Sequence, residues 1–230
     1  MRDWAREALR VRPGETALDV GSGTGSEVVE FARLVGESGR AVGVDPNPSM
    51  LRVARERSAG EPVEFLEGSA YELPLEDSSV DVVRCERVYQ HLDDPAKATA
   101  EVARVLAPGG RVVLIDSDWS TSIMHPGDPE IFEALRALLT TASPNRNSGR
   151  RLRGLLTGAG LVVDDLGSEA VVWDPEGVAP MYAAVMARGV AAGAITEQQR
   201  EQVLAEFDRG VAAGDYHFSV TMFAVLAHKP

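Results

Sequence analysis

Asp19, Gly21, Gly23 and Gly25 stand at alternate positions in the run Leu18-Asp19-Val20-Gly21-Ser22-Gly23-Thr24-Gly25. Glycines at every second position strip a turn of side chains, so a ligand can approach the backbone itself. The next segment has helically spaced apolar residues at Val28, Phe31, Ala32 and Val35. The turn therefore lies at a helix N-terminus, where unsatisfied N–H groups face outward. Such a site holds a nucleotide-like cofactor. Further polar groups follow other apolar runs: Asp45, Ser69, Glu86 with Tyr89 and His91, and Asp116 with Asp118 and Trp119. Carboxylates and hydroxyls of this kind can hold ribose or amine groups, and an imidazole can take a proton near neutral pH.

The spacing narrows the cofactor. A dinucleotide fingerprint, G-x-G-x-x-G, needs its third glycine where this chain has Ser26. The acid at Asp19 would repel a pyrophosphate but would welcome a cationic amino acid portion. The pattern favours S-adenosylmethionine over NAD. A glycine turn with no ligand is disfavoured, because three glycines cost conformational entropy.

These groups need elements to position them. Apolar runs at 16–20, 41–44, 63–66, 80–85 and 111–115 read as strands, and helical patterns lie at 3–11, 26–36, 48–58 and 95–106. This alternation predicts an α/β fold with a mostly parallel sheet and helices on both faces. Ligands then bind beyond the carboxyl ends of the strands, where Gly21, Asp45, Ser69 and Glu86 would meet. In the second half, 129–139 reads as a helix opening on a proline and 150–160 as another. A strand at 161–173 follows, then helices at 176–193 and 196–213, the second with a Thr196/Gln199 capping box. An apolar strand at 219–227 closes the chain.

LDVGSGTG resembles motif I of the class I S-adenosylmethionine-dependent methyltransferases. Three other segments resemble that family in order: Val42–Leu51, the second strand with its terminal acid; Gly68–Leu75, the adenine loop; and Pro108–Ile115, the turn into strand five. The resemblance is to small-molecule, UbiE/type 11-like members and covers residues 15–118 most strongly. It implies a Rossmann-like seven-stranded sheet whose last strand is antiparallel and inserted between strands five and six. Residues 1–230 then form a single domain with a helical cap insertion at about 174–213. The family usually has a longer helical segment before motif I; either the cap takes over its role or the natural chain begins earlier.

The resemblance also implies roles. Asp45 would accept from the ribose hydroxyls, unless it only caps the helix after Pro46. Asp19 would face the methionine amino group or the loop amides. Gly21, Gly23, Gly25, Pro46, Met50 and Glu86 would complete the cofactor site, with Ser69 and Ala70 reading adenine. Ser69 stands where an aspartate is common, so it accepts more weakly. Tyr71 either stacks on adenine or is simply exposed. His91 would be the catalytic base with Tyr89 as its partner, or else packs the helix at 95–106. Arg87 reads as a salt-bridge partner. Asp116, Asp118 and Trp119 resemble a substrate mouth; His125 and His217 are weaker base candidates. No set has metal-ligand spacing; Asp116, Asp118 and His125 come nearest.

Twenty-three basic and 35 acidic residues give a net charge of −12, which argues against a nucleic-acid partner. The single cysteine, Cys85, excludes an intrachain disulfide and reads as a buried thiol. No run is long and apolar enough for a membrane span. The expectation is a cytoplasmic monomer or homodimer that methylates an O, N or C atom of a small-molecule acceptor, in specialised metabolism or quinone synthesis. A non-catalytic sensor of S-adenosylmethionine is the alternative. Met181, Tyr182, Val185, Met186 and Val190 form an apolar stripe that is either core or a lid over an apolar acceptor.

Overall fold

A computed structural model describes residues 2–139 and 144–230. The first half alternates as the apolar runs require: α1 (Arg2–Leu9), β1 (Thr16–Val20), α2 (Ser26–Val35), β2 (Arg40–Asp45), α3 (Pro48–Arg57), β3 (Val63–Glu67), β4 (Val80–Glu86) and α4 (Pro95–Val105). Then come β5 (Leu106–His125), α5 (Pro129–Leu139), α6 (Ser148–Gly158), β6 (Val162–Val172), α7 (Pro175–Ala191), α8 (Glu197–Ala213) and β7 (His217–His228). The helix starts carry their own signals. Asn47 and Asp94 accept from backbone N–H groups ahead of prolines, and Thr196 and Gln199 close the expected capping box.

The seven strands form one sheet in the order β3-β2-β1-β4-β5-β7-β6. β7 runs antiparallel to both β5 and β6, and the other pairs are parallel. Period-two alternation sorts side chains between the faces. Leu18, Val20, Val42 and Val44 pack against α4 and α6, while Ala17, Ala41 and Val82 pack against α1, α2 and α3. A third apolar cluster joins α5, α7 and α8 to Phe218 at the start of β7. The insertion expected at about 174–213 thus shares its core with α5.

Register lines up the strand ends. Val20 pairs with Val44 and with Cys85, and Glu86 pairs with Ile115. Gly21, Asp45, Glu86 and Asp116 therefore lie in neighbouring rows at the carboxyl edge, beside the point where the chain leaves β1 for either side of the sheet.

One expectation fails here. Asp116, Ser117, Asp118 and Trp119 were expected in a mouth beyond a strand ending at 115. They lie inside β5, which continues to His125 because β7 pairs with it past an irregularity between Asp118 and Ile123. No helix among the described residues is long and apolar enough to cross a membrane.

Candidate cofactor and acceptor site

The glycine loop divides its three clearings between packing and open space. Gly21, Gly23 and Gly25 all have positive φ, at 73°, 53° and 81°. A Cβ on Gly21 would meet Val88 Cγ2 at 2.3 Å, and one on Gly25 would meet the Phe65 ring at 2.5 Å. A Cβ on Gly23 would meet nothing within 4 Å. Of the three, only Gly23 faces space that no protein atom fills within 4 Å of a Cβ. Opposite it lies Asp45, 8% exposed, whose Oδ2 accepts from Gly23 N at 2.9 Å and Oδ1 from Asn47 N at 2.9 Å. Each carboxylate oxygen has two acceptor sites, so Asp45 can serve the loop and a pair of ligand hydroxyls together.

Beneath the loop lies a charge cluster with Arg84 at its centre. Its guanidinium donates to Asp19 Oδ1 at 2.9 Å and to Glu86, and its Nε lies 3.7 Å from Glu27 Oε2. Arg6 donates to Glu27 from the outer side at 2.6 Å. Burial pushes the Asp19 carboxyl up to about 6, against the pull of Arg84; Glu27 and Glu86 add to the rise. Asp19 is still mostly ionised at pH 7, as a partner for an ammonium group requires. Arg84 went unrecognised in the sequence. Its signal was a lone basic residue inside the apolar strand Val80–Cys85.

The adenine-loop candidates sit past β3. Ser69 Oγ accepts from Tyr71 N at 3.1 Å, and Ala70 is nearly buried. Tyr71, read as stacking on adenine or simply exposed, is half-buried and anchored through its hydroxyl. Its hydroxyl accepts from Asp93 N and Asp94 N at 2.7 and 3.1 Å, and Lys97 lies 5.7 Å from its ring centroid. Pro46 and Met50 are exposed at the start of α3.

After β4 the chain makes a 3-10 turn at Tyr89–His91. This separates the two residues read as a catalytic pair. Tyr89 is 1% exposed and its hydroxyl pairs with Thr99 Oγ1 at 3.1 Å, so it is a core residue, not a partner for His91. Burial raises its phenol far out of catalytic range. His91 is exposed, and its pKa is lowered by desolvation and then by the positive charge of Arg87. A lowered value keeps the imidazole neutral at pH 7, the form a general base needs. Arg87, expected to be a salt-bridge partner, stands 5.7 Å over the Trp173 ring. Cys85 is buried, and burial pushes its thiol well up.

Between His91 and β5, Gln90 acts as a hub the sequence did not reveal. Its backbone N donates to Asp116 Oδ2 at 2.8 Å, and its Oε1 accepts from Ser117 Oγ at 3.1 Å and Trp119 Nε1 at 2.7 Å. Asp116 is fully buried, and desolvation raises its pKa to about 6. Its oxygens accept from Gln90 N and Ser117 N and so order the turn after β4. Asp118 is also fully buried, held by Arg150 and by Ser120 Oγ at 2.6 Å. Both carboxylates, expected at an open substrate mouth, are buried and bonded within the protein, whereas Trp119 is half-buried. The nearest metal set is dispersed as well. Asp118 pairs with Thr221 and His125 with His217, four β7 positions apart or about 13 Å at about 3.3 Å per residue, and the His125 ring pairs with Asp215. His217 pairs with Ser219.

Trp119 is half-buried and its far side forms one wall of a cavity of about 380 Å³. Phe132 of α5 and Met181, Tyr182 and Val185 of α7 line it, and Met186 fills the cap core behind them. The α7 stripe therefore serves as both core and cavity wall.

A methyltransferase-domain family model matches residues 18–114. Over 226 residues the chain is 36% identical to an uncharacterized 37.1 kDa protein of a transposon from Streptomyces fradiae, covering 96% of this chain and 64% of that protein. Over 126 residues it is 36% identical to a demethylmenaquinone methyltransferase from Bacillus cereus, covering 52% of this chain and 53% of that enzyme. The chain thus spans just under two thirds of the first relative and about half of the second. A Bacillus halodurans crystal structure, solved as a candidate methyltransferase, superposes with a TM-score of 0.71 at 20% identity over 99% of this chain and 98% of that one.

Proposed function

Because the chain belongs to the class I S-adenosylmethionine-dependent methyltransferases, we propose that it transfers the methyl group of S-adenosylmethionine to an O, N or C atom of a small-molecule acceptor. The observation that carries this reading is the clearing over Gly23, opposite Asp45 at the N-terminus of α2. When bound, the cofactor supplies an electrophilic methyl on its sulfonium. The protein's share is to bind, to align and to exclude water. Asp45 accepts from the ribose hydroxyls, and Asp19, held by Arg84, offers its carboxylate toward the ammonium of the methionine portion. Ser69 and Ala70 lie where adenine is read. We assign the protein to the cytoplasm, as a monomer or homodimer, and its acidic balance favours a small-molecule partner over nucleic acid.

Calorimetry with S-adenosylhomocysteine and with NAD, followed by transfer of a labelled methyl to a panel of acceptors, tests this reading. Binding of NAD in preference would overturn it. Binding of S-adenosylhomocysteine without turnover on any acceptor would point to the sensor. Asp45→Ala should weaken S-adenosylhomocysteine by roughly 1.5–3 kcal/mol, the value of hydrogen bonds to a charged group. Unchanged affinity would remove the ribose assignment.

Where the acceptor must lose a proton, His91 is the base. His91→Ala should lower turnover about 10²–10⁴-fold and leave cofactor affinity intact. In the wild type, activity should rise through an ionisation below the ordinary histidine value, because the neutral form is reached at lower pH. That limb should vanish in the variant. Full activity in the variant would leave positioning as the whole of catalysis.

A further inference from the structure

We propose that the cavity beneath α7 is the acceptor chamber, and that it takes an uncharged aromatic molecule about two fused rings in size. The proposal rests on the methyltransferase reading of the adjoining site. Four aromatic residues line the wall, Trp119, Phe132, Tyr182 and Phe218, together with Met124 and Met181. Phe132 and Tyr182 are stacked at 6.1 Å and 18°, so they present a ready-ordered surface to a flat ring. The two methionines are adaptable and make favourable sulfur–aromatic contacts.

Charge decides the rest. Among the described residues, no lysine, arginine or histidine lines the chamber. A carboxylate or phosphate on the acceptor would lose its hydration and meet no cation. The one charged lining residue, Glu133, is exposed at the rim and would repel an anion. At about 380 Å³ the space is too large to be a packing defect and lies in the range of small-molecule pockets.

Trp119 orients the guest, because it links the chamber to the turn that carries His91: its ring lines the chamber, while its Nε1 donates to Gln90, next to His91. An acceptor lying against Trp119 has its reacting edge directed toward the Gln90–His91 turn, and its apolar remainder toward α5 and α7.

The test uses two probes of one shape and opposite charge, 2-naphthol and 2-naphthoate, titrated at pH 7 against the whole chain. The naphthol should bind at one site per chain and at least tenfold more tightly than the naphthoate. Val185→Trp, from α7, and Met124→Trp, from the opposite wall, should each weaken the naphthol at least tenfold. Both should keep S-adenosylhomocysteine affinity within about twofold. Equal or tighter binding of the naphthoate by the wild type would overturn the proposal. So would unchanged naphthol affinity in both variants. A wild type that binds the naphthol in this way but not S-adenosylhomocysteine would overturn the methyltransferase reading and leave the chamber's ligand class standing.

Discussion

Gly23→Val should reduce S-adenosylhomocysteine affinity at least about 100-fold, a loss of about 2.7 kcal/mol, while the protein remains folded. Two effects act together. The valine side chain enters the only one of the three loop clearings that no protein atom fills, since a Cβ there meets nothing within 4 Å. The φ of 53° is also a left-handed conformation that costs a side-chain-bearing residue roughly 1–2 kcal/mol. Only the second effect touches the free protein, so its melting temperature should fall by a few degrees at most. Gly21→Val and Gly25→Val give the contrast. Their added atoms strike Val88 and Phe65, so those variants should lose stability before binding can be asked about. Calorimetric titration beside thermal denaturation separates the two behaviours. A Gly23→Val protein that binds normally would mean that no ligand approaches the loop.

Arg84→Met should destabilise the protein by about 3–5 kcal/mol at pH 7, the usual cost of removing one partner from a buried ionic cluster. Methionine keeps most of the length and removes the charge. Asp19, Glu27 and Glu86 would then share a buried pocket, with only Arg6 left at its edge. Asp19 already sits at about 6 with Arg84 present, and it must rise further when the guanidinium goes. For a carboxyl raised above its unfolded value, the associated stability is complete below the unfolded pKa. It is lost as pH climbs through the folded pKa. The deficit should therefore be widest at and above pH 7 and narrow toward pH 5. Urea denaturation across that range measures it. Adding Asp19→Asn to Arg84→Met should recover part of the loss. A deficit under about 1 kcal/mol, or one independent of pH, would show that the cluster is solvated and not a buried network.

Local chemistry was readable in the sequence, and distant pairing was not. Thr16–Val20 is a short apolar run bounded by polar residues and a glycine, and it is a strand with those bounds. Thr196 and Gln199 announce a helix start through bonds spanning three residues, and both bonds form. The continuation of β5 through Asp116, Ser117 and Asp118 has no such local signal. Three polar residues look like a strand end, and only pairing with β7, some hundred positions later, makes them interior. The same reason explains the two acids assigned to the mouth. Asp118 is paired with Arg150 and Asp116 accepts from backbone donors, partners that a linear pattern does not reveal. Tyr89 and His91 are two residues apart, and a single 3-10 turn sends one inward and the other out. The clearings at Gly21 and Gly25 belong to Val88 and Phe65, both distant in sequence.

The cap's separate apolar cluster has an evolutionary consequence. α5, α7 and α8 close on one another and on Phe218, whereas the sheet holds its own interior in two other clusters. Mutations that reshape the chamber fall on residues of the third cluster and disturb little of what sustains the sheet. Additivity between distant sites then lets such changes accumulate with few compensating substitutions. A lineage built on this plan can exchange one guest for another while its cofactor half stays constant. Trp119 is the exception. It belongs to a sheet strand, to the chamber wall and to the Gln90 network at once, so drift at that position must satisfy all three.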